Sequence, residues 1–125
     1  MSNLILATNY VADVAIPKYR IVKHGTGDRT VTAATAATDS SIGVTHELNA
    51  AAGEFVDVWH VGIACVEAGA AVTRGAPVTA DAVGRGVEAA PAAGANARVV
   101  GFALEAATAA GDVIRVLLSP CVMQG

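Results

Sequence analysis

Short apolar runs separated by clusters of Gly, Pro, Asn, Asp and Ser run along the chain, and the runs read best as strands. Residues 1–16, MSNLILATNYVADVAI, carry no strong helical stripe and few charges, which predicts an extended arm or edge strand. Leu4, Ile5, Leu6, Tyr10, Val11 and Val14 are then available to lie on another surface. Pro17 holds Ile16 extended and restarts the chain. YRIVKH (19–24) and RTVTA (29–33) flank Gly25-Thr26-Gly27-Asp28 and read as strands across a hairpin, and SIGVT (41–45) follows as a short strand. Glu54 to Val61 is the clearest strand of the first half, with Val56 and Val58 sharing a face and Phe55 and Trp59 on the other face or at an interface. Gly62 allows a bend or bulge before IACVE. Two short extended pieces hinge at Gly69 and Gly75, a turn forms around Gly84 and Gly86, and 91–96 is a surface connector. ARVVGFALE (97–105) re-enters the β pattern. DVIRVLL (112–118) predicts a central strand with Ile114, Val116 and Leu118 inward, closed by Pro120.

The chain also repeats itself. Laid over one another without a gap, 42–58 (IGVTHELNAAAGEFVDV) and 100–116 (VGFALEAATAAGDVIRV) pair Gly43 with Gly101, Glu47 with Glu105, Gly53 with Gly111, Glu54 with Asp112 and Val58 with Val116. Each copy is a short apolar strand, a small-residue connector, then a Gly-acid pair opening a strand. Two such units can cover one another's apolar faces. The expected fold is therefore all-β, a small β-sandwich or β-barrel built from two similar β-units, with at most short helical turns in the connectors. The expected organisation is an extended N-terminal arm over 1–17 and one β-rich domain over 18–125.

Composition sharpens this picture in two ways. At 125 residues, one core is the natural reading. Hydrophobic residues make up 54% but aromatics only 4%, so the core must be filled by small side chains that each contribute little apolar area. Charged residues are 15% of the chain against a usual quarter, which suits a surface that is partly covered by a partner or by further copies. The net charge of −3 and the absence of a Lys/Arg cluster argue against nucleic-acid binding. The opening residues lack a basic segment, and the apolar runs are too short and Gly-broken to span a bilayer, so neither a signal peptide nor a membrane partner is expected.

Candidate chemistry is sparse. His24, His46 and His60 show no metal-ligand spacing, and His46 and His60 read as exposed or edge residues. Cys65 and Cys121 lie far apart in apolar contexts and read as buried thiols. No nucleophile-elbow or cysteine-protease pattern surrounds any Ser or Cys, and neither Gly25-Thr-Gly-Asp nor Gly84-Arg-Gly completes a phosphate-binding signature. Glu54 and Asp112, following Gly53 and Gly111, are placed to accept backbone N–H bonds within their turns. These four residues read as structural turns. No catalytic, cofactor or metal site is expected, and an enzyme is not.

Several pieces together carry a family resemblance: Gly53-Glu54 before a Val-rich strand, Gly69 with Arg74-Gly75, Asp81-Ala-Val-Gly84-Arg85, and Gly101-Phe-Ala-Leu-Glu105 before Gly111-Asp112. From about Ile42 to Pro120 the chain resembles the small capsid decoration, or cement, proteins of tailed bacteriophages. The resemblance implies a structural virion protein, often a homotrimer, that binds the outer capsid surface and stabilises the lattice of the major capsid protein. It also implies a part for the N-terminal arm in binding, with Leu4, Ile5, Leu6 and Tyr10 docking on the lattice. Deletion of residues 2–12 is then expected to abolish capsid binding and leave the β-domain folded. The alternatives are another phage virion β-domain, from tail or baseplate, and a small-molecule or glycan-binding β-module. The last would need a deep cleft around Trp59 and His60.

Overall fold

Almost every apolar run becomes a strand. A computed structural model describes residues 2–125, and among them there are nine strands and no helix. They are β1 (Asn3–Ala12), β2 (Ile21–His24), β3 (Thr30–Ala33), β4 (Ser41–Thr45), β5 (Phe55–Glu67), β6 (Pro77–Ala80), β7 (Gly86–Glu88), β8 (Asn96–Ala103) and β9 (Val113–Gln124). The sheet order is β1-β3-β2-β4-β5-β9-β8-β6-β7, and β1 also pairs with β5, so the first five strands close into a ring. A parallel bridge from Ala68 to Gly86 returns β7 to the end of β5 and closes a second ring. The barrel form of the expected all-β fold is the one adopted.

β5 belongs to both rings. Its first half pairs with β1 (Val11 with Phe55, Thr8 with Val58), and its second half pairs with β9 in the same register (Glu67 with Val113, Ala64 with Val116). The second half of β5 thus does for the second unit what β1 does for the first. The loops repeat as well. Ile16 and Ala50 exchange two backbone hydrogen bonds at 2.8 and 2.9 Å, as do Val72 and Ala107 at 3.0 and 2.9 Å. Ala12 accepts from Gly53 N–H at 2.7 Å and Ala68 from Gly111 N–H at 2.8 Å. These pairings hold both connectors extended, which is why neither 46–52 nor 104–110 winds into a helical turn.

The core follows from the shared strand. Val56 and Val58 enter a cluster with Ala12, Ile16, Val22 and Val31 inside the first unit. Trp59, Ala64 and Val66 enter a larger one with Val78, Val100 and Val116 that spans both units. Trp59 and Ala64 are an odd number of residues apart yet share a cluster, because pairing with β1 is irregular opposite Gly62 and the strand changes phase there. The units are tied further by Ile21 N–H to Gly84 C=O at 2.7 Å and by an Arg20–Glu67 ion pair at 3.4 Å.

Two sequence expectations are corrected. Pro120 does not close the last strand, since β9 continues to Gln124; the register with β8 breaks between Val99 and Gly101, and a proline without an N–H is tolerated at such a break. Cys121 is exposed and Cys65 only half-buried, so neither is a fully buried thiol.

Candidate functional site

The matched acids of the repeat are turned inward to their own loops. Glu54 accepts the Ala51 N–H at 2.7 Å. Asp112 accepts the Thr108 N–H at 2.9 Å, the Thr108 hydroxyl at 3.0 Å and the Ala109 N–H at 3.3 Å. The Thr108 backbone bond, then its hydroxyl, holds the Asp112 carboxyl below the usual aspartate value. Asp39 makes the same bonds to Thr35 and Ala36. These carboxylates order turns.

The histidines do not meet. His60 lies between β1 and β4: its Nδ1 is 2.8 Å from the Ile42 carbonyl, and its Nε2 is 2.7 Å from the Thr8 hydroxyl and 3.3 Å from the Tyr10 hydroxyl. A carbonyl only accepts, so Nδ1 carries the proton and Nε2 accepts from the hydroxyls. His46 stacks on Trp59 with ring centroids 3.9 Å apart. The His46 and His60 rings are half-buried by these contacts, where the sequence reading has them as exposed or edge residues. Among the described residues no three His, Cys, Asp or Glu side chains come close enough together to hold a metal ion.

The segment set apart as an arm forms β1. It runs antiparallel along β5 from Asn3 to Val11, while its other edge meets β3 only at Val11 and Ala12. Its first half therefore offers an open strand edge, and Leu4, Ile5 and Leu6 on it are exposed, Ile5 by 73%. Tyr10 differs from them. It packs against the Val56–Val58 cluster and reaches His60, so it is held within the molecule. Ala12 is fully buried, and deletion of 2–12 removes core as well as surface.

Beside β1 lies a concavity of about 570 Å³, lined by Leu4, the connector 46–50 and the residues 54–57 and 59. Leu48 and Phe55, 80% and 74% exposed, stand on its walls, while Trp59 lies beneath His46 with only 9% of its surface open. Asn9 also lines it, the acids of the lining are Glu47, Glu54 and Asp57, and among the described residues no lysine or arginine contributes to it. Sequence reasoning named Phe55 and Trp59 but passed over Leu48. The gap-free repeat sets Leu48 opposite Ala106, whereas the matching bridges Ile16–Ala50 and Val72–Ala107 set it opposite Glu105.

The described surface thus sets an exposed apolar strand edge next to an apolar hollow lined by acids. The model of the phage cement protein family matches residues 5–118. The chain belongs to that family. It is a capsid-associated structural protein of a phage virion, and its family is one that binds capsid proteins. The fold is also similar to a solved structure described as the head fiber gp8.5 N base in bacteriophage phi29, with a TM-score of 0.66 and 20% identity. That match covers 91% of this chain and 93% of the other. A comparison with curated proteins finds no match.

Proposed function

We propose that this chain binds the outer surface of an assembled phage head as a homotrimer and stabilises the lattice of the major capsid protein. The observation that carries the reading is the first half of β1. Exposed strand edges are ordinarily blunted by charge, proline or a covering loop, because a bare edge recruits other chains. β1 has no charged residue from Asn3 to Ala12, leaves its outer edge open and exposes Leu4, Ile5 and Leu6. Such an edge is suited to docking on another protein by strand addition, with the three apolar side chains supplying buried area.

The mechanism is mass action. A protein that binds the assembled shell and not its separated subunits favours the shell by its binding free energy, multiplied over symmetric sites. Three linked copies raise the effective concentration at each further contact. The low charge of the chain and its core of small side chains support an assembly in which subunits cover one another.

The test pairs light scattering of the purified protein with cosedimentation on decoration-free capsids of its own phage. A trimer that pellets with expanded capsids, and an Ile5→Lys/Leu6→Glu variant that folds and stays in the supernatant, are the expected results. A monomer that ignores capsids would remove the proposal.

A further inference from the structure

The internal duplication supplies a control for the hollow beside β1. Both units bridge their connector to the preceding chain and enter the following strand in the same register, the first connector having one residue more before its bridge and one fewer after it. Counted from the matching bridges Ile16–Ala50 and Val72–Ala107, the position of Leu48 is held in the second unit by Glu105, that of Phe55 by Val113 and that of Asp57 by Arg115. The fold therefore needs neither a leucine nor a phenylalanine at these places. Large apolar side chains that packing does not require, left almost wholly in water, mark a surface kept for a partner.

The charges differ between the units in the same sense. In the second unit Glu105 is answered by Arg115, whose Nε lies 3.5 Å from it and whose backbone N–H donates to it at 2.9 Å. In the first unit the matching places hold Leu48 and Asp57; Glu47 and Glu54 share the hollow with Asp57, His46 Nε2 lies 3.5 Å from Glu47, and among the described residues no lysine or arginine lines it. The hollow is apolar at its walls and carries three carboxylates that face no lysine or arginine among the described residues. A second copy of this chain is a poor occupant, since it carries a net −3 and four of its eight Lys and Arg side chains are already in ion pairs.

We infer that the concavity of Leu48, Phe55 and Trp59, rimmed by Glu47, Glu54 and Asp57, receives a segment of the capsid shell in which a large apolar side chain is flanked by Lys or Arg. The inference rests on the proposed function and names the part of the capsid protein that this face reads. The apolar side chain enters between Leu48 and Phe55, and the cation meets the carboxylates, which sets orientation and on-rate. The open edge of β1 and the hollow adjoin at Leu4, so one partner segment can engage both.

The experiment transplants the second unit's residues into the first: Leu48→Glu, Phe55→Val and Asp57→Arg together, with Glu47→Gln/Asp57→Asn as a milder variant. Each is compared with wild type by thermal melting, light scattering and cosedimentation on decoration-free expanded capsids at low and high salt. The triple variant is expected to melt close to wild type and keep its solution mass, since the sister unit folds with these residues, and to lose capsid affinity by about tenfold or more. The milder variant is expected to lose about three- to tenfold and to show a weaker dependence on salt. Wild-type affinity in both folded variants overturns the inference, and so does a changed solution mass, which would assign the hollow to contacts between copies. A wild-type protein that never pellets with capsids strikes the proposed function itself, a separate outcome.

Discussion

Gly101→Ala is the sharpest test of how the two units are built. A Cβ at Gly101 would lie 2.1 Å from the Leu117 carbonyl oxygen on the neighbouring strand β9, and one at Gly43 would lie 2.3 Å from the Trp59 carbonyl oxygen on β5. The two positions match in the repeat, and in both the obstacle is backbone, which cannot swing aside. Restoring an ordinary contact means moving β8 off β9 by about 1 Å, loosening the ladder at Gly101–Leu118 and Phe102–Leu117. Overpacking of this kind costs about 1–3 kcal/mol, and each weakened buried hydrogen bond adds about 1 kcal/mol. A total of about 2–4 kcal/mol, in a domain where each kcal/mol moves the midpoint by about 4 °C, lowers Tm by about 8–16 °C. The control is Gly111→Ala. Gly111 has φ +96° but nothing within 4 Å of its added Cβ, so only backbone strain of about 1–2 kcal/mol applies. Thermal unfolding followed by circular dichroism, on both variants and on Gly43→Ala, should rank 101 and 43 together and well below 111. If Gly101→Ala melts within about 2 °C of wild type, the close strand crossing is wrong.

Three further outcomes follow from the site geometry. Asp112, whose folded-state carboxyl titrates low, adds stability that is present above the ordinary aspartate value and is lost as pH falls through the folded value; wild type should therefore lose more of its Tm than Asp112→Asn between about pH 4 and pH 2. His60→Ala removes the ring that joins Thr8 and Tyr10 to Ile42 and should cost about 1–2 kcal/mol, with faster hydrogen exchange concentrated in β1. Truncation before residue 7 should leave a folded protein that has lost Leu4, Ile5 and Leu6, whereas removal of 2–12 should unfold the first ring because Tyr10 and Ala12 pack with Val56 and Val58. Near-native melting of the longer deletion would contradict that division of β1.

Much of this fold could be read from the chain, for a physical reason. Alternation along 112–118 marks the core face at Ile114, Val116 and Leu118, all buried, and the repeat 42–58/100–116 is visible because its Gly and acid residues serve turn geometry that few other residue types satisfy. The duplication continues upstream with little trace. Ala12 and Ala68, Ile16 and Val72, Val22 and Val78, and Ala34 and Ala89 hold matching buried places, but small apolar residues are so frequent in this chain that such pairs carry almost no signal. The sharing of β5 between two rings was equally hidden. Its two halves look like separate strands in sequence, and only pairing with β1 on one side and β9 on the other reveals a single strand with two roles.

The apolar character of the surface was legible in Leu4, Ile5 and Leu6, since a terminal run without charge has no reason to alternate. Tyr10 could not be told apart from them, because its burial depends on His60, fifty residues away, and on the closure of the first ring. Leu48 was missed because a lone leucine in an alanine-rich connector reads as filler. Its meaning comes from the sister unit, where the matching backbone position, counted from the bridges Ile16–Ala50 and Val72–Ala107, holds Glu105.

The central claim is that this protein strengthens an assembled head, and the most direct measurement is the temperature at which decoration-free capsids of its own phage come apart, with and without saturating protein. The account predicts a rise in that temperature that saturates with added protein, that follows the amount bound, and that the Ile5→Lys/Leu6→Glu variant fails to produce. A disruption temperature that stays constant while the protein is bound would contradict it.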